Sequence, residues 1–278
     1  MNCKTVNKLN LEKSFKGLSY DYIIFDTNSL TIVPYLNSSK YVSSDNINIT
    51  PFIETFKMYL NYKKLFPDTR FIFVFDGGIS PILLKMLPDY KKSRKSRKFT
   101  PNHNASSGGK IYDYNIKLIN ILMGYFNEVV IDDIDRNESD FIIGYLIDNL
   151  SSNSECLVYS HDKDLLLAHN HNENVDVLYK QSSLIDGQYR TTNYLVDSQD
   201  CINHIFDFQY LKNVKELLFY RALIGDTSDD ITKPFGIKSK TIVNNMFQDA
   251  YLEDQEVTFD YVMNYFGNKF PKTNPTIL

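Results

Sequence analysis

Four apolar runs along this chain end on acids. "YDYIIFDTNS" carries Tyr22 to Phe25 into Asp26, and "RFIFVFDGG" (70 to 78) runs into Asp76. "NEVVIDDIDRNESD" follows Val129 to Ile131 with acids as far as Asp140, and "ECLVYSHDKD" follows Leu157 to Tyr159 with Asp162 and Asp164. Short continuous apolar runs bounded by turn signals read as buried strands, and the stretches between them are long enough for helices. The rhythm predicts an α/β fold: a mostly parallel central sheet flanked by helices. A single Asp-Gly pair is an ordinary turn, so the argument rests on the recurrence.

Helical spacing fills the gaps. In "PFIETFKMYLNYKKLF" (51 to 66), Phe52, Ile53, Phe56, Tyr59, Leu60 and Lys63 to Leu65 are spaced as an amphipathic crossover helix. "NESDFIIGYLIDNL" (137 to 150) reads as a helix with Asn137 as N-cap and Glu138 and Asp140 in its first turn. Its buried face is expected to be Phe141, Ile142, Tyr145, Leu146 and Leu150. "VDVLYK" (175 to 180) is expected to close the sheet, and Asp186-Gly187 reads as a turn. From about residue 190 the pattern turns helical, with "VKELLFYRALIGDTSDDI" and "KSKTIVNNMF" separated by "TKPFGI". The polar, Gly- and Ser-rich "FTPNHNASSGGK" (99 to 110) has no period and is expected to be mobile. The division expected is an α/β domain over 1–185 and a helical module over 186–278.

In open α/β sheets ligands bind beyond the carboxyl ends of the strands, near the point where strand order reverses. Acids delivered there from several strands would repel one another unless a cation neutralised them. Oxygen ligands favour Mg²⁺ or Mn²⁺ over zinc. The helix dipole offers a purely structural reason for Glu138 and Asp140, and that reading stays open on local grounds.

Composition adds one feature. The 278 residues carry a net charge of −4, yet "KMLPDYKKSRKSRK" (85 to 98) holds seven Lys or Arg against the one acid Asp89. A solvated charged helix would explain such a run; so would a polyanionic ligand beside the acidic edge. No apolar run approaches the roughly 18 residues of a membrane span, and the N-terminal stretch lacks the core of a signal peptide, so a soluble cytoplasmic protein is expected. Cys3, Cys156 and Cys201 are scattered and odd in number, which supports neither a disulfide framework nor a zinc ribbon. His169 and His171 lack a nearby cysteine partner and read as a polar loop.

The ordered set Asp26, Asp76, "YKKSR", "ESD", "SHDKDLL" and "GDTSDDI…FGIKSK" resembles the 5′-nucleases of the flap endonuclease and phage ribonuclease H type. These combine a PIN-like domain with a helix-three-turn-helix module. The resemblance runs from about residue 20 to 245. It implies metal-ligand roles for Asp26, Asp76, Glu138, Asp140, Asp162 and Asp164, joined by Asp226 and Asp229 from the helical module. It further implies two Mg²⁺ ions, with Mn²⁺ able to substitute, and an in-line phosphodiester hydrolysis without a covalent protein nucleophile. Residues 85 to about 115 would form a basic helical arch, with Tyr90 stacking on a base and Lys91 and Arg94 at the scissile phosphate. Lys92, Lys95 and Arg97 would add nucleic-acid contacts. The Gly236 turn, Lys238 and Lys240 would grip duplex phosphate, with K⁺ as a candidate ion at that turn.

The substrates so implied are branched or nicked DNA and RNA–DNA hybrids, met during primer removal in replication. A polymerase or single-strand-binding protein is a candidate partner, the expected state is a monomer, and a phage gene would place it in the host cytoplasm. The chain departs from the family pattern at three places. Phe141 stands where a final carboxylate is usual, Lys238 follows Gly236-Ile237 where the family has glycine, and His161 replaces a small or hydroxyl residue. Phe141 keeps open a non-catalytic nucleic-acid-binding relative. A phosphatase with Asp26 as nucleophile wants a second acid at position 28, which is Asn28, and leaves the basic run unexplained.

Overall fold

The computed structural model describes residues 4–6, 10–37, 40–92, 105–132, 137–170, 174–185, 188–226 and 230–269. Arg94, Lys95, Arg97 and Asp229 therefore lie outside the described residues, as do His171, Asp186 and Gly187 and the middle of the expected arch. Two compact units emerge. Described residues within 4–81 and 105–197 form the first; those within 82–92 and 198–269 form the second.

The first unit is built on a seven-stranded sheet. Its strands are β1 (Lys4–Val6), β2 (Tyr22–Asp26), β3 (Arg70–Val74), β4 (Val129–Ile131), β5 (Cys156–Ser160), β6 (Val175–Ile185) and β7 (Gln188–Val196). Their spatial order is β1-β7-β6-β5-β2-β3-β4. The pairs β2/β3, β3/β4, β2/β5 and β5/β6 are parallel; β6/β7 and β1/β7 are antiparallel. The sheet is thus α/β and mostly parallel, as the sequence predicts. Chain order runs outward from β2 through β3 to β4 on one side and from β5 to β6 on the other. The switch point is the seam between β2 and β5.

Period-two alternation assigns each strand residue a face. Ile23 and Phe25, Phe71 and Phe73, and Leu157 and Tyr159 are buried in one cluster with Tyr59 and Tyr62 of α3 (Thr50–Leu65). Phe25 stacks on Phe73 at 4.9 Å between ring centres, and Tyr59 meets Phe71 edge-on at 5.4 Å. Such pairs add about 0.5–1.5 kcal/mol each beyond area burial. Ile119 and Met123 of α5 (Ala105–Tyr125) close this layer. The remaining alternate positions, Ile24, Ile72, Val74 and Val158, are buried too. Asp26 shares their parity, and α6 (Ser139–Leu150) packs on β2 and β3.

Four expectations change. The expected 185 limit falls inside the sheet, because β7 continues it to Val196 as the antiparallel partner of β6, with Ile185 opposite Gln188. Ala105 to Lys110, read from the sequence as aperiodic, open α5. In α3 Leu60 is exposed, while Tyr59 and Tyr62 point inward. In α6 the N-cap is Glu138, and the buried face is Ile142, Ile143 and Ile147; Phe141 and Tyr145 are exposed. One physical reason covers both helices: a run apolar on most sides leaves its inward face to be chosen by packing.

Cys156 is a free, buried thiol, and Cys201 is disulfide-bonded. Spacing cannot tell which cysteines a fold brings within bonding distance.

The second unit is helical: α7 (Gln199–Phe206), α8 (Val214–Ile224), α9 (Lys240–Leu252) and α10 (Phe259–Lys269). Asn213 and Glu216 form a capping pair at the start of α8, where Asn213 Oδ1 accepts from the Glu216 N–H at 3.0 Å. The buried Glu216 carboxylate accepts in turn from the N–H groups of Lys212 at 2.7 Å and Val257 at 3.1 Å, which ties α8 to the approach to α10. Short α4 (Pro81–Met86) carries the chain into the basic segment.

Candidate active site

Asp26 is the last residue of β2, at the switch point, and only 2% exposed. A carboxylate this buried needs donors, and two hydroxyls supply them. Ser160, ending the neighbouring β5, donates to Asp26 Oδ2 at 2.6 Å; Ser139, opening α6, donates to Asp26 Oδ1 at 3.1 Å. The parallel pairing of β2 with β5 makes the first contact possible, because Phe25 lies opposite Tyr159 and both chains then leave the sheet at the same edge.

The same serines organise the other acids. The Ser139 backbone N–H donates to Asp76 Oδ1 at 2.8 Å, and Asn28 Oδ1 accepts from the Asp76 N–H at 3.0 Å. Ser160 Oγ accepts from the Asp162 N–H at 2.8 Å, while Asp162 Oδ1 accepts from the Asp164 N–H at 2.9 Å. Ser29 Oγ lies 3.2 Å from Ser160 Oγ and accepts from the His161 N–H at 3.2 Å. Glu138 is buried at the N-cap of α6, beside this group.

Burial and repulsion raise two of these carboxyls, Asp26 and Asp140. Asp26 is pushed up to about 6 by desolvation, opposed by the Ser160 and Ser29 hydroxyls and reinforced by Asp76 and Asp162. Asp140 is pushed up to about 8, by desolvation first and then by Asp162, Asp26, Asp76 and Asp164. Asp26 and Asp140 thus feel neighbouring acids across the edge. An all-oxygen donor set under mutual repulsion fits a hard divalent cation. Among the described residues no three His, Cys, Asp or Glu side chains close on one point as ligands of a single ion. The fit is therefore one of donor chemistry and placement, with the carboxylates still to be drawn together.

The second unit holds the remaining sequence-predicted residues. Asp226 accepts an ion pair from Arg221 at 3.2 Å and bridges to Ile231 through backbone hydrogen bonds of 2.9 and 2.8 Å. Gly225 before it has φ of +64°. Tyr90 is buried with the Lys91 ammonium 5.0 Å from its ring centre, so it does not present an open face for stacking. Lys92 pairs with Asp89 at 2.8 Å, both side chains exposed. Gly236, at φ +66°, ends a short 3₁₀ turn (Pro234–Gly236), and Gly236, Lys238 and Lys240 are exposed. Ser239 caps α9, accepting from the Thr241 N–H at 3.1 Å.

Ser139, Ser160, Ser29 and Asn28, whose hydrogen bonds tie these acids and their flanking backbone together, were not singled out from the sequence as part of the site. Serine after a strand has no signal of its own. Only its position beside Asp162 and Asp140 could have pointed to it.

A mostly parallel sheet with carboxylates at its switch point, together with a second, helical unit, is a fold the chain shares with solved nuclease structures. Bacteriophage T5 5′-exonuclease with divalent zinc bound is similar at 17% identity, covering 89% of this chain and 84% of that chain with a TM-score of 0.61. The bacteriophage T5 flap endonuclease in a pseudo-enzyme–product complex with DNA and metal ions is similar at 17% identity over the same shares, with a TM-score of 0.59. Human GEN1 in complex with Holliday junction DNA is similar at 12% identity, covering 95% of this chain and 65% of that one, with a TM-score of 0.50. No protein-family model matches the chain, and no curated protein is similar to it. At these identities the likeness is one of fold.

Proposed function

We propose that the chain is a divalent-metal-dependent, structure-selective 5′–3′ nuclease acting on 5′ flaps, nicked duplex DNA or RNA–DNA hybrids, as primer removal requires. The observation that carries this reading is the placement of Asp26, Asp76, Asp140, Asp162 and Asp164 along one sheet edge, where the other four raise the proton affinity of Asp140. Asp26, Asp76, Glu138, Asp140, Asp162 and Asp164 would hold two Mg²⁺ ions, or Mn²⁺ in their place, with Asp226 and Asp229 as outer contributors. Bound ions would supply a deprotonated water and neutralise the leaving oxygen. Ser139 and Ser160 fix the Asp26 carboxylate in orientation, so the charge that faces the substrate phosphate is set before binding. That DNA and metal ions occur in a similar solved structure supports the reading.

Substrate contacts divide between the units in this proposal. Lys91 and Arg94 would meet the scissile phosphate, with Lys92, Lys95 and Arg97 along the strand. The burial of Tyr90 means its ring would have to be uncovered to stack. Exposed Lys238 and Lys240, with the backbone at Gly236, would hold duplex phosphates without reading sequence. K⁺ at that turn belongs to the same proposal.

The test is cleavage of a 5′-labelled flap duplex and an RNA–DNA hybrid with Mg²⁺ and with EDTA, beside Asp162→Asn. Metal-dependent cutting that falls on the order of 10²-fold in the variant, with binding held, is expected. Tight binding without cutting, over a range of Mg²⁺ and Mn²⁺, would instead favour a non-catalytic binder.

A further inference from the structure

Single exposed apolar residues are ordinary on any surface. Phe141 and Tyr145 are not single. They stand four residues apart on α6, hence on one face of it, and are 51% and 70% exposed. The helix already buries Ile142, Ile143 and Ile147, so the core does not need these rings. Their location is particular. Phe141 directly follows Asp140 in the first turn, where Ser139 holds both Asp26 and Asp76.

The charge of the helix narrows what can bind. "SDFIIGYLIDNL" contains no Lys, Arg or His, and the next position along the exposed stripe is the acid Asp148. A phosphate is repelled from this face. A neutral π-face is not, and a strand led through an acidic edge by its phosphates presents one at every base.

We propose that Phe141, extended by Tyr145, is a stacking platform for an unpaired nucleobase flanking the scissile phosphate. The proposal rests on the nuclease reading and adds a base contact at α6. Phe141 then acts by positioning: the stacked base sets which phosphodiester lies over the carboxylates.

The test uses the full-length chain carrying Asp162→Asn, so that substrate stays intact, and flap duplexes with 2-aminopurine placed in turn at each base around the cleavage point. Phe141→Tyr keeps the ring and Phe141→Leu keeps apolar bulk without it; thermal melts confirm that both fold. A fluorescence change confined to one base position is expected, retained in Phe141→Tyr and lost in Phe141→Leu. Affinity should fall about ten-fold or more in Phe141→Leu, and by less than about two-fold in Phe141→Tyr. In the otherwise unmodified chain, Phe141→Leu should also raise KM and blur the cleavage position more than it lowers kcat.

Equal behaviour of the two variants, with the fluorescence signal intact, would overturn the platform while leaving the nuclease standing, and the patch would pass to a protein partner. Failure of the parent chain to bind or cut any of these substrates would sink both readings.

Discussion

Ser160 shows how much of this edge depends on an uncharged side chain. Its hydroxyl donates to Asp26 and accepts from the Asp162 backbone, so one atom joins the ends of β2 and β5. Hydrogen bonds to charged groups contribute about 1.5–3 kcal/mol, and a buried carboxylate left short of a donor loses most of that. Ser160→Ala is expected to lower unfolding free energy by about 1–3 kcal/mol in urea titrations, and to weaken Mg²⁺ binding by calorimetry. The raised carboxyls carry a second consequence. Asp26 at about 6 and Asp140 at about 8 keep protons that the unfolded chain, titrating at 3.8, has already released. Folded protein therefore binds more protons between these values, and stability falls as pH rises from near 4 toward 8. Thermal melts in EDTA should show Tm dropping over that window. On the proposed function, saturating Mg²⁺ should flatten the slope, because a bound cation would replace the proton as the neutralising charge.

At the scale of elements, the connection after α8 is tightly constrained at its first residue. Gly225 lies at φ +64°, and a Cβ there would sit 2.7 Å from the Ile231 carbonyl oxygen and 3.1 Å from the Lys233 nitrogen. Both neighbours are backbone, held by the Asp226–Ile231 bridge, so neither can give way cheaply. Gly225→Ala is expected to cost about 1–3 kcal/mol in chemical denaturation, and to shift Asp226 from its Arg221 partner, visible as a changed environment of Asp226 by NMR. Leu252, an exposed residue at the end of α9, should by contrast accept Ala within about 0.5 kcal/mol. Elements also show where periodicity misleads. In α6 nearly every side is apolar, and the sheet takes Ile142, Ile143 and Ile147 while leaving Phe141 and Tyr145 in solvent.

For the whole molecule, the strand order explains the concentration of acids. Strands β2 and β5 are neighbours although Asp26 and Ser160 are 134 positions apart, and the crossovers on either side of that seam run in opposite directions. In open α/β sheets such a seam is where ligands bind. One unit bears the acids; the other bears Lys91, Lys92 and the exposed Gly236, Lys238 and Lys240. Among the described residues no helix is long and apolar enough to cross a membrane. Much of this is local information: strand runs, their terminal acids and the helical change of pattern depend on residue type and period, and the sequence by itself determined them. It also supplied the candidate carboxylates, because acids clustered after buried strands are costly unless a cation neutralises them. Only the tertiary structure decided which strands are neighbours, that β7 and β1 turn back antiparallel, which face of α6 is buried, that Cys201 is in a disulfide, and that Ser139 and Ser160 hold Asp26. Those are contacts between distant segments, and their energies depend on packing and on burial in a low-dielectric interior, which no local pattern encodes.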